Sequence, residues 1–183
     1  VIADLSNINE INYNTLSDIG YTYLKDVDKW VISDVAADYV HIGNNYSDLI
    51  YPPSLGIICD YDKWLLIKNK TNIYPEVNLD QYFHFKEDTL KFLYILSDQL
   101  IDENILKRIS KDSNLVIIID TNNDNGIHDQ RNLFFEFFNK KYKFPIIISR
   151  YYQDLNYDSI EINASIDIGS LLVDGFGDGI FIA

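Results

Sequence analysis

The chain has 183 residues, 47% of them hydrophobic and 14% aromatic, enough to bury one sizeable core and close to the usual length of a single domain. Fifteen Lys and Arg against 28 Asp and Glu give a formal net charge of −13, which repels phosphate backbones and anionic headgroups and so argues against nucleic-acid and membrane-surface partners. The single cysteine, Cys59, excludes an intramolecular disulfide, and with only three histidines (His41, His84, His128) no Cys/His zinc constellation can be assembled.

In chain order, short apolar, β-branched runs recur at Val1 to Leu5, Asp38 to Ile42, Gly56 to Cys59, Phe92 to Leu96, Leu115 to Ile119, Pro145 to Ile148 and Gly179 to Ile182, and each reads as a buried strand. Amphipathic stretches at helical spacing lie between several of them. One joins Ile101, Ile105, Leu106 and Ile109, with Lys107 and Arg108 facing away; another joins Leu133, Phe134, Phe137 and Phe138. Ser97 or Asp98 is the expected start of one helix, Asp129 of another, and Asn156 or Asp158 of a third that closes at Gly175. The stretch from Asn69 to Lys86, with Pro75 and scattered polar residues, reads as a long excursion between strand-helix units.

Strands apolar on both faces and joined by helices imply a parallel sheet covered on both sides or closed on itself. The expected class is α/β, a compact TIM-like (β/α) barrel, with an open doubly wound parallel sheet as the alternative. Ser170 to Val173 is a possible eighth strand on periodicity alone. No apolar run approaches the ~18–20 residues that span a bilayer, and a soluble protein is expected. The start at Val1 without a charged or apolar leader, the lack of methionine and the apolar end at Ala183 read as a segment excised from a longer protein.

Few motifs survive scrutiny. Asp120 to Gly126 imitates the start of a calcium loop, but its sixth place is Asn125 where glycine should turn the chain, and its twelfth is Arg131 where a bidentate Glu should sit. A strand-to-helix loop is the better reading. Asp174-Gly175-Phe176-Gly177-Asp178-Gly179 imitates a phosphate-cradling glycine loop, yet it precedes a strand instead of following one, and reads as a helix cap and tight turn. Cys59 sits in a buried-strand context where a free thiol acts as a small hydrophobe. The remaining ligand candidates are Asp4, His41, Asp60, Asp120 and Arg150, each at or just after a strand end, where barrel enzymes carry function. Arg150 is the one candidate for holding an anion.

The C-terminal quarter carries a resemblance. Phe144-Pro-Ile-Ile-Ile-Ser-Arg-Tyr-Tyr152, followed by Ile162 to Ile182 with its Gly-Ser-Leu-Leu-Val-Asp-Gly-Phe-Gly-Asp-Gly segment, is similar to the inserted middle domain of three-domain 4-hydroxy-3-methylbut-2-enyl diphosphate synthases, the plant-plastid, apicomplexan and some bacterial form. Leu16 to Tyr21, Asp28 to Trp30, Asp38 to Gly43 and Gly126 to Phe134 resemble the same domain. The resemblance implies a TIM-like domain spanning 1–183, with the catalytic barrel and the iron-sulfur domain elsewhere in the same polypeptide as its partners. It turns Ser170 to Val173 from a strand into the end of a helix capped at Gly175.

By the same resemblance the parent enzyme reduces 2-C-methyl-D-erythritol 2,4-cyclodiphosphate in the non-mevalonate isoprenoid pathway, uses a 4Fe-4S cluster, and in plastids takes electrons from ferredoxin. Its setting is then a plastid-like organelle such as the apicoplast, or alternatively a bacterial cytoplasm. The family's cluster and substrate motifs are absent here, so no catalytic, cofactor-binding or metal residue carries over. The expected role is a noncatalytic scaffold; the alternatives are a small-molecule-binding or regulatory barrel, and a docking module for an electron donor, which the acidic surface disfavours for an acidic ferredoxin.

Overall fold

The structure is a computed structural model that describes residues 1–98, 102–123, 125–153 and 156–183. By its internal contacts the chain divides into two compact units, Val1–Glu76 and Val77–Ala183.

The first unit is built on strands β1 (Ile2–Asp4), β4 (Tyr39–His41), β5 (Gly56–Asp60) and β6 (Ile73–Val77, its last residue in the second unit). They pair in parallel in that order, with Asp4 opposite His41, His41 opposite Ile58, and Asp60 opposite Glu76. Val40, Ile57, Ile58 and Cys59 are all buried, the double-sided apolar run that a covered parallel strand needs. Helix α1 (Tyr13–Asp18) starts at a reciprocal cap, in which Asn12 Oδ1 accepts from Thr15 N at 3.3 Å and Thr15 Oγ1 accepts from Asn12 N at 2.9 Å. Helix α2 (Tyr61–Leu66) buries Trp64, whose indole N–H donates to the Ile73 carbonyl at 3.0 Å and so ties the helix to β6.

The sequence does not announce two features of this unit. An antiparallel hairpin, β2 (Tyr21–Leu24) and β3 (Lys29–Ile32), stands apart from the parallel strands and is held by Tyr13 stacked on Tyr23 at 4.7 Å and the cross-strand pair Tyr23 and Trp30 at 5.0 Å. The supposed excursion from Asn69 to Lys86 contains both β6 and helix α3 (Leu79–His84), which corrects that expectation. Pro75 is tolerated within β6 because Asn72 O already accepts from Ile57 N, so the alternate residues at 72, 74 and 76 turn their polar backbone to β5 and the missing N–H of Pro75 points the other way.

The second unit alternates regularly: α3, β7 (Lys91–Leu96), α4 (Glu103–Ile109), β8 (Leu115–Asp120), α5 (Ile127–Asn139), β9 (Ile146–Arg150), α6 (Tyr157–Val173) and β10 (Gly179–Ile182). Its strands pair in parallel in the order β7-β8-β9-β10. Ile117, Ile118 and Ile119 of β8 are fully buried. Helix α4 presents Leu106 and Ile109 inward, as its spacing demands, with Lys107 and Arg108 outside; Ile101 lies outside the described residues.

Three local expectations are corrected here. The cap of α4 is Asp102, whose carboxylate accepts from Asn104 N at 2.7 Å, and not Ser97 or Asp98. Helix α5 begins at Ile127 after Gly126, which moves Asp129 into its first turn, where a carboxylate still favours the helix dipole. Phe138 is 74% exposed and does not join the buried stripe of Leu133, Phe134 and Phe137. Asn156 caps α6 through Ser159 N at 2.9 Å, and Ser170 to Val173 is its last turn.

The eight parallel strands follow one another as β1-β10-β9-β8-β7-β6-β5-β4 and close into a barrel, so the fold is a mixed α/β, TIM-like barrel and the open-sheet alternative falls away.

Candidate functional site

In the first unit, the ends of four neighbouring strands gather titratable side chains. Asp4 ends β1, His41 ends β4, Asp60 ends β5 and Glu76 is the penultimate residue of β6. The register puts Asp4 beside His41 and Asp60 beside Glu76, and because side chains alternate along a strand, all four stand on the same face as Ile58 and Tyr74. His41 Nδ1 lies 3.4 Å from Asp4 Oδ1, and His41 Nε2 lies 3.5 Å from Glu76 Oε2. His41, Asp60 and Glu76 each offer a donor atom, and these atoms lie within 4.8 Å of one another.

The supporting bonds are local. Asp4 Oδ1 also accepts from Ser6 N at 2.9 Å. Asp60 occupies the N-cap position of α2 without capping it, because its carboxylate is turned to the Asn44 side-chain amide, which donates to it. Burial alone would lower the His41 pKa, but the Asp4 hydrogen bond and the charges of Glu76, Asp4 and Asp60 outweigh it and hold the imidazole above its ordinary value. Burial likewise pushes Asp4 up, and its bonds to His41 and Ser6 more than reverse this, leaving it below the usual carboxylate range. Such an imidazole, ringed by carboxylates and 12% exposed, stabilises a positive charge at Nε2.

Sequence reasoning named Asp4, His41 and Asp60 singly and missed Glu76. The signal was the alternation of Ile73, Pro75 and Val77, all buried, with Tyr74 and Glu76 half-buried, which Pro75 disguised.

In the second unit, Asp120 and Arg150 are committed to structure. Asp120 Oδ2 accepts from Tyr94 Oη at 2.8 Å and from Ser149 Oγ at 3.2 Å, while Oδ1 accepts from Thr121 N at 2.7 Å. Arg150 Nη2 donates to Asp167 Oδ2 at 2.8 Å and Nη1 to the Asn123 carbonyl at 3.3 Å; Tyr152 adds its hydroxyl to Asp167 at 3.0 Å. A guanidinium so occupied is a poor anion receptor. Asp124, in the imitation calcium loop, lies outside the described residues.

The glycine segment joins α6 to β10. Asp174 is the C-cap and forms an ion pair with Arg131 at 2.6 Å. Gly175 N donates to Leu172 O and Phe176 N to Leu171 O, a left-handed helix ending that needs the positive φ of Gly175. Asp178 Oδ2 then accepts from Ile146 N at 2.9 Å and aligns the chain on β9.

The other candidates are dispersed. His84 Nδ1 lies 2.8 Å from the Asp80 carbonyl at the end of α3. An open cleft of about 490 Å³ in the first unit, lined by Val1, Ala3, Asp18, Gly20 and Val35 among others, holds none of the candidate residues. Among the described residues no helix is long and apolar enough to cross a membrane.

Fold and strand-end cluster together define an α/β-barrel protein with its polar residues at the C-terminal ends of strands, the end at which such barrels carry ligands. A stretch of 147 residues is 27% identical to the 4-hydroxy-3-methylbut-2-en-1-yl diphosphate synthase (flavodoxin) of Phocaeicola vulgatus, covering 79% of this chain and 23% of that protein. The synthases of the same name from Parabacteroides distasonis and Bacteroides thetaiotaomicron are 25% and 24% identical over the same shares. The chain is thus related to these synthases over that stretch, and it spans about a quarter of their length. No family model and no solved structure matches the chain.

The residues present do not fit an iron-sulfur cluster of the kind the resemblance implies. Such a cluster is held by several thiolates, whereas Cys59 stands alone, fully buried in β5, its thiol pushed up to about 12, first by burial and then by the Asp60 charge.

Proposed function

We propose that this chain is a noncatalytic scaffold domain of a 4-hydroxy-3-methylbut-2-enyl diphosphate synthase, inserted between the catalytic barrel and the iron-sulfur domain of one polypeptide. The observation that carries the reading is the asymmetry of the match: it takes in 79% of this chain and 23% of the relative. The lone buried cysteine supports it, since the reductive chemistry must be housed elsewhere. An insert of fixed span holds the two functional domains at high effective concentration, so that a cluster domain closes on the barrel of its own chain. The electron donor belongs to the parent enzyme: ferredoxin by the resemblance, flavodoxin by the names of the relatives.

Two measurements test this. Isothermal titration of the chain with 2-C-methyl-D-erythritol 2,4-cyclodiphosphate should give no heat while a cooperative melt reports a folded protein; saturable one-to-one binding would overturn the noncatalytic reading. In the Phocaeicola vulgatus enzyme, replacing the matched stretch by a flexible linker should lower kcat and leave substrate affinity unchanged. An unchanged kcat would sink the scaffold role.

A further inference from the structure

From the cluster at the strand ends of the first unit we infer that His41, Asp60 and Glu76 bind one first-row divalent cation, Zn²⁺ in preference to Mn²⁺, with Asp4 as the outer carboxylate that orients His41. The inference does not depend on the family reading.

Zinc bonds of about 2.0–2.2 Å in a tetrahedron separate neighbouring donors by roughly 3.4 Å. His41 Nε2 and Glu76 Oε2 are 3.5 Å apart, already at that edge length, and the widest separation in the triad, 4.8 Å at most, closes by a small rotation of one carboxylate. Each ligand comes from a different strand of one ladder, β4, β5 and β6, so the backbone holds the three in place without any loop having to order.

Asp4 faces Nδ1 of His41 at 3.4 Å, which favours the tautomer with its proton on Nδ1 and leaves Nε2 to bind metal, the carboxylate-histidine arrangement found behind most metal-bound imidazoles. The Asn44 side-chain amide donates to the Asp60 carboxylate and so restrains it.

One imidazole and two carboxylates suit zinc better than calcium or magnesium, which take oxygen ligands, and zinc stands above manganese in the general affinity order. Three protein ligands leave a position for water or a ligand oxygen, and the cation offsets three carboxylates gathered around one ring.

The test is titration of the chelator-treated 183-residue chain with zinc chloride, read by calorimetry, melting temperature and the ring nitrogen signals of its three histidines. One equivalent should bind, raise the melting temperature and shift the Nε2 resonance of His41 while those of His84 and His128 stay. His41→Gln and Glu76→Gln should each abolish the high-affinity step, Asp4→Asn should weaken it by about 10–100-fold, and the exposed Asp158→Asn should leave it unchanged. The ring signals report on the unmodified protein, so a variant that fails to fold does not remove the test. An absence of saturation at millimolar zinc, or a shift confined to His84 or His128, would overturn the inference.

Discussion

Arg150 and Asp167 form an ion pair 2.8 Å long between the end of β9 and the middle of α6, with only 7% and 17% of their side chains exposed. At such burial the pair adds little net stability as a unit, but removing one partner strands the other charge. Arg150→Met is therefore expected to destabilise the protein by about 3 kcal/mol in urea unfolding, and the double variant with Asp167→Asn to recover part of that loss. Inorganic phosphate should not raise the melting temperature through Arg150. A phosphate-dependent rise that Arg150→Met removes would restore this residue as an anion receptor.

A second buried pair sets an acid limit. Lys91 Nζ lies 2.9 Å from Asp112 Oδ2, and Tyr82 Oη donates to the same oxygen at 3.1 Å. Burial raises the Asp112 pKa, but the bonds from Lys91, Asn114 and Tyr82 and the Lys91 charge outweigh it, so the carboxyl stays below its ordinary value of 3.8. A depressed carboxylate pKa stabilises the fold fully above the unfolded value, and that contribution is lost as pH falls through the folded one. Stability should drop from about pH 5 downward, and Asp112→Asn should flatten that part of the pH profile. An identical acid slope in the variant would remove Asp112 from the account.

Cys59 gives a prediction about reactivity. A thiol pushed up to about 12 is ionised only to about one part in ten thousand at pH 8, and no part of Cys59 is exposed. Labelling by an aromatic disulfide reagent should therefore be negligible in buffer and stoichiometric in denaturant. Rapid labelling of the folded protein would mean that β5 opens far more readily than a central parallel strand should.

Most of the barrel was legible because parallel strands buried on both faces read as unbroken β-branched runs, and Ile117 to Ile119 leave no other interpretation. What failed were places where a strong local rule met a tertiary exception. Pro75 argued against a strand, yet its ring nitrogen is turned away from β5, so the ladder between β5 and β6 keeps its hydrogen bonds. The β2–β3 hairpin lacks a two-residue glycine turn, and its pairing rests on Tyr13, Tyr23 and Trp30, contacts that spacing does not announce. At the cluster, three of four residues were visible as strand-ending polar groups. Their grouping was not, because it depends on the register that sets Asp4 against His41 and Asp60 against Glu76.

The turn after α6 separates two costs that a glycine can hide. Gly175 has φ +82 with nothing within 4 Å of where a Cβ would stand, whereas Gly177 has φ +78 and its Cβ would fall 2.7 Å from Ile148 Cδ1. Gly175→Ala thus measures backbone strain alone and should cost about 1–2 kcal/mol. Gly177→Ala adds displacement of a fully buried Ile148 side chain and should cost more, with overpacking contributing about a further 1 kcal/mol or above. Gly175→Val should exceed Gly175→Ala, because a β-branched side chain tolerates the left-handed region least. Urea denaturation of the three variants orders them directly. Equal losses at Gly175→Ala and Gly177→Ala would mean that Ile148 moves aside without penalty, and an unchanged melting temperature for Gly175→Val would mean that the helix end refolds without its left-handed residue.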